Sequence, residues 1–288
     1  MTANAPEKKT FWQWLATIDR RILYLVMCLV VVIPLIAMLR STVEVTSPVQ
    51  DVFNAIESLA VHQKPLLVSV DFDPTSRAEM YPMLTAILRH AFARRVKVVE
   101  LGIWQTGFGL AQRALNETAT EYGMKYGEDY VFLGFKVGVD AVILGMGENI
   151  KKTFPVDARK IPLDSSPMMS SIRKLSDFGL IVSISAGTPG YQDWLLYAQA
   201  RYHVRTAAGT TAVSAADAYP YLGSGQLTGL LAGMKGAAEY EALDAQHGFK
   251  QASTLASTAM PALSYAHIAI IILVIIGNIG FFASRRRK

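Results

Sequence analysis

The sequence predicts an α/β domain, an open and mostly parallel sheet with helices on both faces, flanked by an N-terminal and a C-terminal transmembrane helix. Three observations predict it. Short β-branched apolar runs alternate with segments of helical periodicity through the middle of the 288-residue chain, and strands separated by helices indicate a parallel sheet. Two 18-residue stretches, 22–39 and 266–283, contain no Asp, Glu, Lys or Arg, and about 20 apolar residues cross a bilayer core. Positive charge lies beside those stretches and not between them. The segments outside 41–263 carry nine Lys and Arg against two acids, so the +5 of the whole chain becomes −2 for the middle.

The flanks set the predicted topology. Residues 1–21 form a polar N-terminal segment whose Trp12 and Trp14 suit the headgroup level, and Lys8, Lys9, Arg20 and Arg21 precede the first stretch. Residues 22–39 read as transmembrane helix 1. The run is longer than the roughly 7–15 apolar residues of a signal peptide, and no A-x-A site follows it. Pro34 would kink it, as membrane helices tolerate. Residues 264–283 read as transmembrane helix 2, followed by a basic tail at 284–288 with Arg285, Arg286, Arg287 and Lys288. Lys and Arg stay on the cytoplasmic side. Both termini are therefore expected in the cytoplasm, and residues 41–263 outside it.

Within 41–263 the strands are expected at 66–70, 96–103, 130–135, 180–185 and 202–207. Ser76 and Glu79 have capping-box spacing before a helix whose apolar residues recur from Met80 to Ala91. Thr106-Gly107 opens a second helix, and 139–150 a third. Residues 151–164 read as a loop, 166–175 as a short helix, 194–200 as a helix, and 224–243 as a long one. The pattern is that of a three-layer, Rossmann-like or flavodoxin-like sheet. The middle has no Cys, because the single cysteine is Cys28, so it holds no disulfide and no thiolate site. It also lacks the basic excess that releases counterions from nucleic acid, so no nucleic-acid partner is expected.

Open α/β sheets bind ligands beyond the carboxyl ends of their strands. Those ends carry Asp71-Phe72-Asp73, Gln105-Thr106-Gly107, Lys136-Val137-Gly138, Ala186-Gly187-Thr188-Pro189-Gly190 and Gly209-Thr210-Thr211. The ligand-binding candidates are therefore Asp71, Asp73, Thr106, Lys136, Gly187, Thr188, Gly190 and Thr210. The glycines of 187–190 could cradle an anion with backbone N–H groups, and they equally suit a tight strand-to-helix turn. The five histidines are scattered without ligand spacing and are expected at surfaces or interfaces. No G-x-S-x-G, H-E-x-x-H, P-loop or G-x-G-x-x-G is present.

LLVSVDFDPT resembles the first motif of the haloacid dehalogenase-like phosphatases, an apolar strand followed by D-x-D-x-T. The resemblance implies Asp71 as nucleophile, Asp73 as general acid, Mg²⁺ beside them, and Lys136 as that family's lysine. It covers about ten residues, and no later acidic pair completes the metal site. Asp73-Pro74 as a turn with Ser76 as a helix cap explains the same residues and is the preferred reading.

Gly225, Gly229 and Gly233 fall four apart within YPYLGSGQLTGLLAGMKGAAEYE. On a helix they would share one face and admit another backbone, either within the domain or from a partner subunit. Lys235 and Glu239 at i, i+4 keep that segment out of the membrane. This stretch, with YGEDYVFLGFKVG and SAGTPG, resembles an uncharacterised family of bacterial membrane-anchored α/β proteins with two transmembrane helices. The resemblance implies an architecture and a bacterial cell (inner) membrane setting, and transfers no catalytic residue. The expectation is a non-enzymatic binding or scaffold subunit of a membrane assembly. It would contact membrane lipid and other membrane-protein subunits or copies of itself, with no cofactor. A Mg²⁺-dependent hydrolase or phosphatase using Asp71 and Asp73 is the alternative.

Overall fold

The computed structural model describes residues 18–37, 43–250 and 255–285. In chain order the elements are α1 (Arg20–Ile36), α2 (Ser47–His62), β1 (Leu66–Asp71), α3 (Arg77–Ala93), β2 (Val98–Gly102), α4 (Phe108–Tyr122), β3 (Tyr130–Phe135), α5 (Val139–Glu148), α6 (Ile150–Thr153), β4 (Leu180–Ser185), α7 (Tyr191–Trp194), β5 (Thr206–Thr210), α8 (Ala215–Gly223), β6 (Leu230–Ala232), α9 (Gly233–Gln246) and α10 (Leu255–Arg285). After α7 the helix runs on through a π-turn, Leu195–Gln199, to Ala200–Tyr202. Two units result, Thr42–Ser257 and a helical unit of Met1–Ser41 with Thr258–Lys288.

The first unit is the α/β domain. Its six strands are all parallel, in the order β3-β2-β1-β4-β5-β6. Every residue of β1, β2, β4 and β5 is buried, as expected of strands covered on both faces. Side chains alternate between faces, so Leu67, Val99, Leu101, Val131 and Ile181 share one face. There they pack with Ile143 and Met146 of α5, Ile150 of α6 and Trp194 of α7. The opposite face, with Leu66, Val68, Val70 and Val182, is covered by α2, α3, α4 and α9.

The structure moves several predicted elements. The fifth strand lies at Thr206–Thr210 and not at 202–207, because Tyr202 ends a helix and His203 turns the chain at φ 54°. The segment 166–175 holds one 3-10 turn, Met168–Ser170, and a second, Leu175–Asp177, begins at its last residue. The long helix expected at 224–243 is instead a short edge strand, β6, followed by α9. Gly225, Gly229 and Gly233 therefore share no helical face. Gly225 lies in the turn after α8, Gly229 precedes β6, and Gly233 starts α9 with φ 58°. Close backbone approach does occur at Gly229, where a Cβ would come within 2.6 Å of the Pro48 carbonyl oxygen of α2. Lys235 pairs with Glu239 as their spacing predicts. Ser76 and Glu79 form no capping box. Asp73 caps the turn Pro74–Ser76, and Glu79 accepts from the Ala212 amide at 2.8 Å.

In the helical unit, one helix among the described residues is long and apolar enough to cross a membrane, the 29 residues Leu255–Ala283 of α10. At about 1.5 Å per residue it exceeds a core of roughly 30 Å. Among the described residues the first hydrophobic stretch lies in a 17-residue helix, α1, with Pro34 inside it. That is about 25 Å, short of the core, so the structure supplies one candidate span where two are predicted. Residues 1–17, 38–42 and 286–288, with most of the predicted cytoplasmic ends, lie outside the described residues. Leu29, Ile33 and Pro34 of α1 line an apolar groove with Tyr265, Ile268 and Ile272 of α10.

Candidate ligand site at the switch point

The winding of the sheet reverses between β1 and β4. From β1 the chain proceeds outward to β2 and β3, and from β4 outward to β5 and β6. The crevice at the carboxyl ends of such a strand pair is where doubly wound sheets bind ligands. Three polar residues meet there in one register row: Asp71 of β1 stands beside Ser185 of β4, and Ser185 beside Thr210 of β5. One row deeper, Ser69 stands beside Ser183. All five are buried, and all point to the face of Leu67 and Ile181 by alternation.

Asp71 is fully enclosed. Its Oδ2 accepts from Ser69 Oγ at 2.5 Å and its Oδ1 from the Ile103 amide at 2.6 Å. Burial, partly opposed by these hydrogen bonds and aided by the charge of Asp193, pushes its pKa up to about 7. Near neutrality it can therefore act as hydrogen-bond acceptor or donor. Gly107 lets the β2-α4 turn close over β1, since a Cβ there would lie 2.7 Å from the Phe72 carbonyl oxygen.

The loop 186–190 covers the row. Trp104 Nε1 donates to the Pro189 carbonyl at 2.6 Å, tying the end of β2 to the loop. The Gly190 amide donates to Asp193 at 2.8 Å. A Cβ at Gly190 would strike the Gly187 carbonyl at 2.4 Å and Ser185 at 2.7 Å, so glycine is required for the loop to close on the strand. Buried polar atoms without partners occur on these elements and also elsewhere, at both Glu100 carboxylate oxygens and Asp244 Oδ1. Among the described residues, the buried Ser183 Oγ, Thr210 Oγ1, Tyr191 hydroxyl and Trp194 Nε1 make no hydrogen bond. Such atoms are rare in folded proteins, and each calls for an explanation.

The structure brings some predicted residues together and separates others. Asp71, Gly187, Gly190 and Thr210 gather at the switch point, with Thr188 exposed on the covering loop. Thr106 is exposed on the next turn. Lys136 does not join them. It follows edge strand β3, two strands from β1, and its Nζ donates to the Thr153 carbonyl. Asp73 turns outward, and its Oδ1 accepts from Thr75 N at 3.0 Å, Thr75 Oγ1 at 2.6 Å and Ser76 N at 3.2 Å.

These carboxylates do not fit Mg²⁺. Hard cations need oxygen lone pairs facing a common point, and both aspartates commit theirs to separate donors. No three His, Cys, Asp or Glu gather into a ligand set among the described residues. The sheet order also suits a dinucleotide, which needs a glycine-rich turn after β1 and an acid after β2. Here Phe72-Asp73-Pro74 and Ile103-Trp104 occupy those places.

Sequence reasoning missed Ser69, Ser183, Ser185, Trp104 and Asp193. A signal for the serines exists: LLVSVD and LIVSIS each place polar residues at alternate positions of an apolar strand, which puts them on one face.

A second buried polar cluster lies under the opposite face, around His90. This corrects the expectation that all the histidines are superficial, since His90 is fully buried while His62, His203, His247 and His267 are exposed. Its Nε2 lies 2.9 Å from Glu57 Oε1 and its Nδ1 2.7 Å from the Tyr240 hydroxyl. Arg94 Nε donates to the same Glu57 oxygen at 2.7 Å, and Phe53 stacks on the imidazole at 4.1 Å. Burial pushes the His90 pKa down to about 4. The ring is therefore neutral, donating from Nε2 to the carboxylate and accepting at Nδ1 from the tyrosine.

No family model, curated protein or solved structure matches this chain.

Proposed function

We propose that the chain is a membrane-anchored binding subunit whose α/β domain takes a small polar ligand at the β1/β4 switch point. The observation that carries this reading is the row Asp71, Ser185 and Thr210 with unpartnered buried hydroxyls beside it. A site of this kind offers a few fixed polar groups within an apolar wall. The ligand's own donors and acceptors would complete the hydrogen bonds that Ser183 and Thr210 lack.

The anchor follows from α10 and from the flank charges. In this reading the first hydrophobic stretch, 22–39, is the second span. Both termini are cytoplasmic, and the domain stands outside the cytoplasm of a bacterial cell. Other membrane-protein subunits or further copies of the chain are the assembly partners.

Native mass spectrometry of the detergent-solubilised full chain tests the ligand reading. A small molecule should co-purify with the wild type and be lost from Ser185→Val. Equal occupancy in the two proteins, or none in the wild type, would sink it. Mg²⁺-dependent phosphatase activity abolished by Asp71→Asn would replace it with the hydrolase reading.

A further inference from the structure

We propose that the amino-terminal edge of the sheet, opposite the switch point, holds a second site that takes a phosphate group. A concave cavity of about 480 Å³ lies there, lined by Lys64, Arg94, Arg95, Lys97, Gln63 and Ser171 among others, with no acidic side chain in its wall. Its volume falls in the range of small-molecule sites.

The fold places these cations together. Gln63-Lys64-Pro65 joins α2 to β1, and Arg94-Arg95-Val96-Lys97 joins α3 to β2. β1 and β2 pair from their first residues, Leu66 beside Val98, and the Leu66 amide donates to the Lys97 carbonyl at 2.9 Å. The two helix-to-strand turns therefore lie side by side. Gln63 and Arg95 both adopt positive φ, 52° and 56°, which turns the chain sharply at each helix end.

The charge balance favours a dianion. Glu57 offsets one of the four cations through Arg94. The carboxyl ends of α2 and α3 each contribute roughly −0.5 charge, which offsets another. About two positive charges remain, in a domain whose net charge is −2. Lys64 and Lys97 side chains make no ion pair or hydrogen bond among the described residues. The backbone amides of these turns are occupied: Lys64 N binds the Leu59 carbonyl, Arg95 N that of Phe92, and Val96 N that of Ala91. Recognition therefore falls to the side chains, chiefly to the two lysines as mobile point charges, since Arg94 Nε is held by Glu57 and Arg95 Nη1 lies against the Tyr122 carbonyl and Met124 Sδ. The phosphate could belong to a soluble metabolite or to an anionic lipid headgroup.

Thermal unfolding of the full chain distinguishes them. Inorganic phosphate, at ionic strength matched with chloride, should raise Tm of the detergent-solubilised protein. Lys64→Gln/Lys97→Gln should require at least tenfold more phosphate for the same rise, and the single substitutions an intermediate amount. Arg173→Gln/Lys174→Gln, altering cations outside the cavity wall, should respond like the wild type. If phosphate has no effect but phosphatidylglycerol nanodiscs raise Tm over phosphatidylcholine ones, with the same dependence on Lys64 and Lys97, the ligand is a lipid headgroup. No response to either probe, or an undiminished response in the Lys64/Lys97 variant, overturns the proposal.

Discussion

Two of the buried polar clusters of the domain, those around His90 and Asp71, lie on opposite faces of one sheet and differ in completeness. Around His90 the imidazole has both nitrogens engaged, the Tyr240 hydroxyl meets one and the Glu57 carboxylate the other. Around Asp71 the carboxylate is satisfied, but the hydroxyls of Ser183 and Thr210 are not. A complete buried network stiffens a core and specifies its packing, whereas an incomplete one costs free energy unless something else completes it. The first cluster is thus architecture, holding α2, α3 and α9 together. The second is where the proposed ligand would complete the hydrogen bonds, and it occupies the place where the topology favours ligands.

Three substitutions test that contrast, in descending order of expected effect. His90→Ala leaves a cavity and an unpaired buried Tyr240 hydroxyl, while Glu57 keeps its bond from Arg94, so it should cost about 3 kcal/mol in chemical denaturation. Occupancy at the switch point should be unchanged in the folded fraction. A smaller cost with lost occupancy would reverse the roles assigned to the two clusters.

Asp71→Asn should change the shape of the stability–pH curve. The folded pKa of Asp71 is raised from 3.8 to about 7, so its contribution to stability is fully present below about pH 4 and is lost as pH rises to about 7. His90 runs the other way. Its pKa falls from 6.5 to about 4, so its contribution is present above about pH 6.5 and is lost as pH falls through 4. The two nearly cancel in the wild type. Removing Asp71 should make the variant gain on the wild type by up to about 1.4 kcal/mol per pH unit between pH 4 and 7. Parallel curves would show that Asp71 titrates at its ordinary pKa. Thr210→Val is the smallest perturbation. It replaces an unpartnered hydroxyl with a methyl group and should be neutral or stabilising by up to about 1 kcal/mol, while cutting ligand occupancy at least tenfold. A clear loss of Tm in ligand-free protein would place Thr210 with the architectural cluster.

Much of the sheet is legible because its strands are buried on both faces and read as apolar runs: 130–135 and 180–185 appear with the bounds of β3 and β4. β6 is not legible. Leu230-Leu231-Ala232 between two glycines fits a helical period as well as a strand, and only pairing with β5 decides between them. The convergence of turns on Asp71 follows from strand order, which no local pattern states. That order separates Lys136 from the group and brings Trp104 into it. The burial of His90 was hidden for a similar reason, since its partners lie 33 and 150 residues away.

The junction between β1 and β4 has a consequence for how the domain assembles. Leu66 pairs with Leu180 and Asp71 with Ser185, so the central seam of the sheet joins strands far apart in the chain. As the chain is made, β1, β2 and β3 are all present before β4 exists. The two halves meet along a seam whose closure requires a long loop to be ordered first, a slow event for parallel strands. Any molecule seated across that seam binds only the joined halves, so mass action favours the joined state as the ligand becomes abundant. Abundance of the ligand would then set the lifetime of the protein as well as its occupancy, because a chain lacking it would part most readily along the line where it binds.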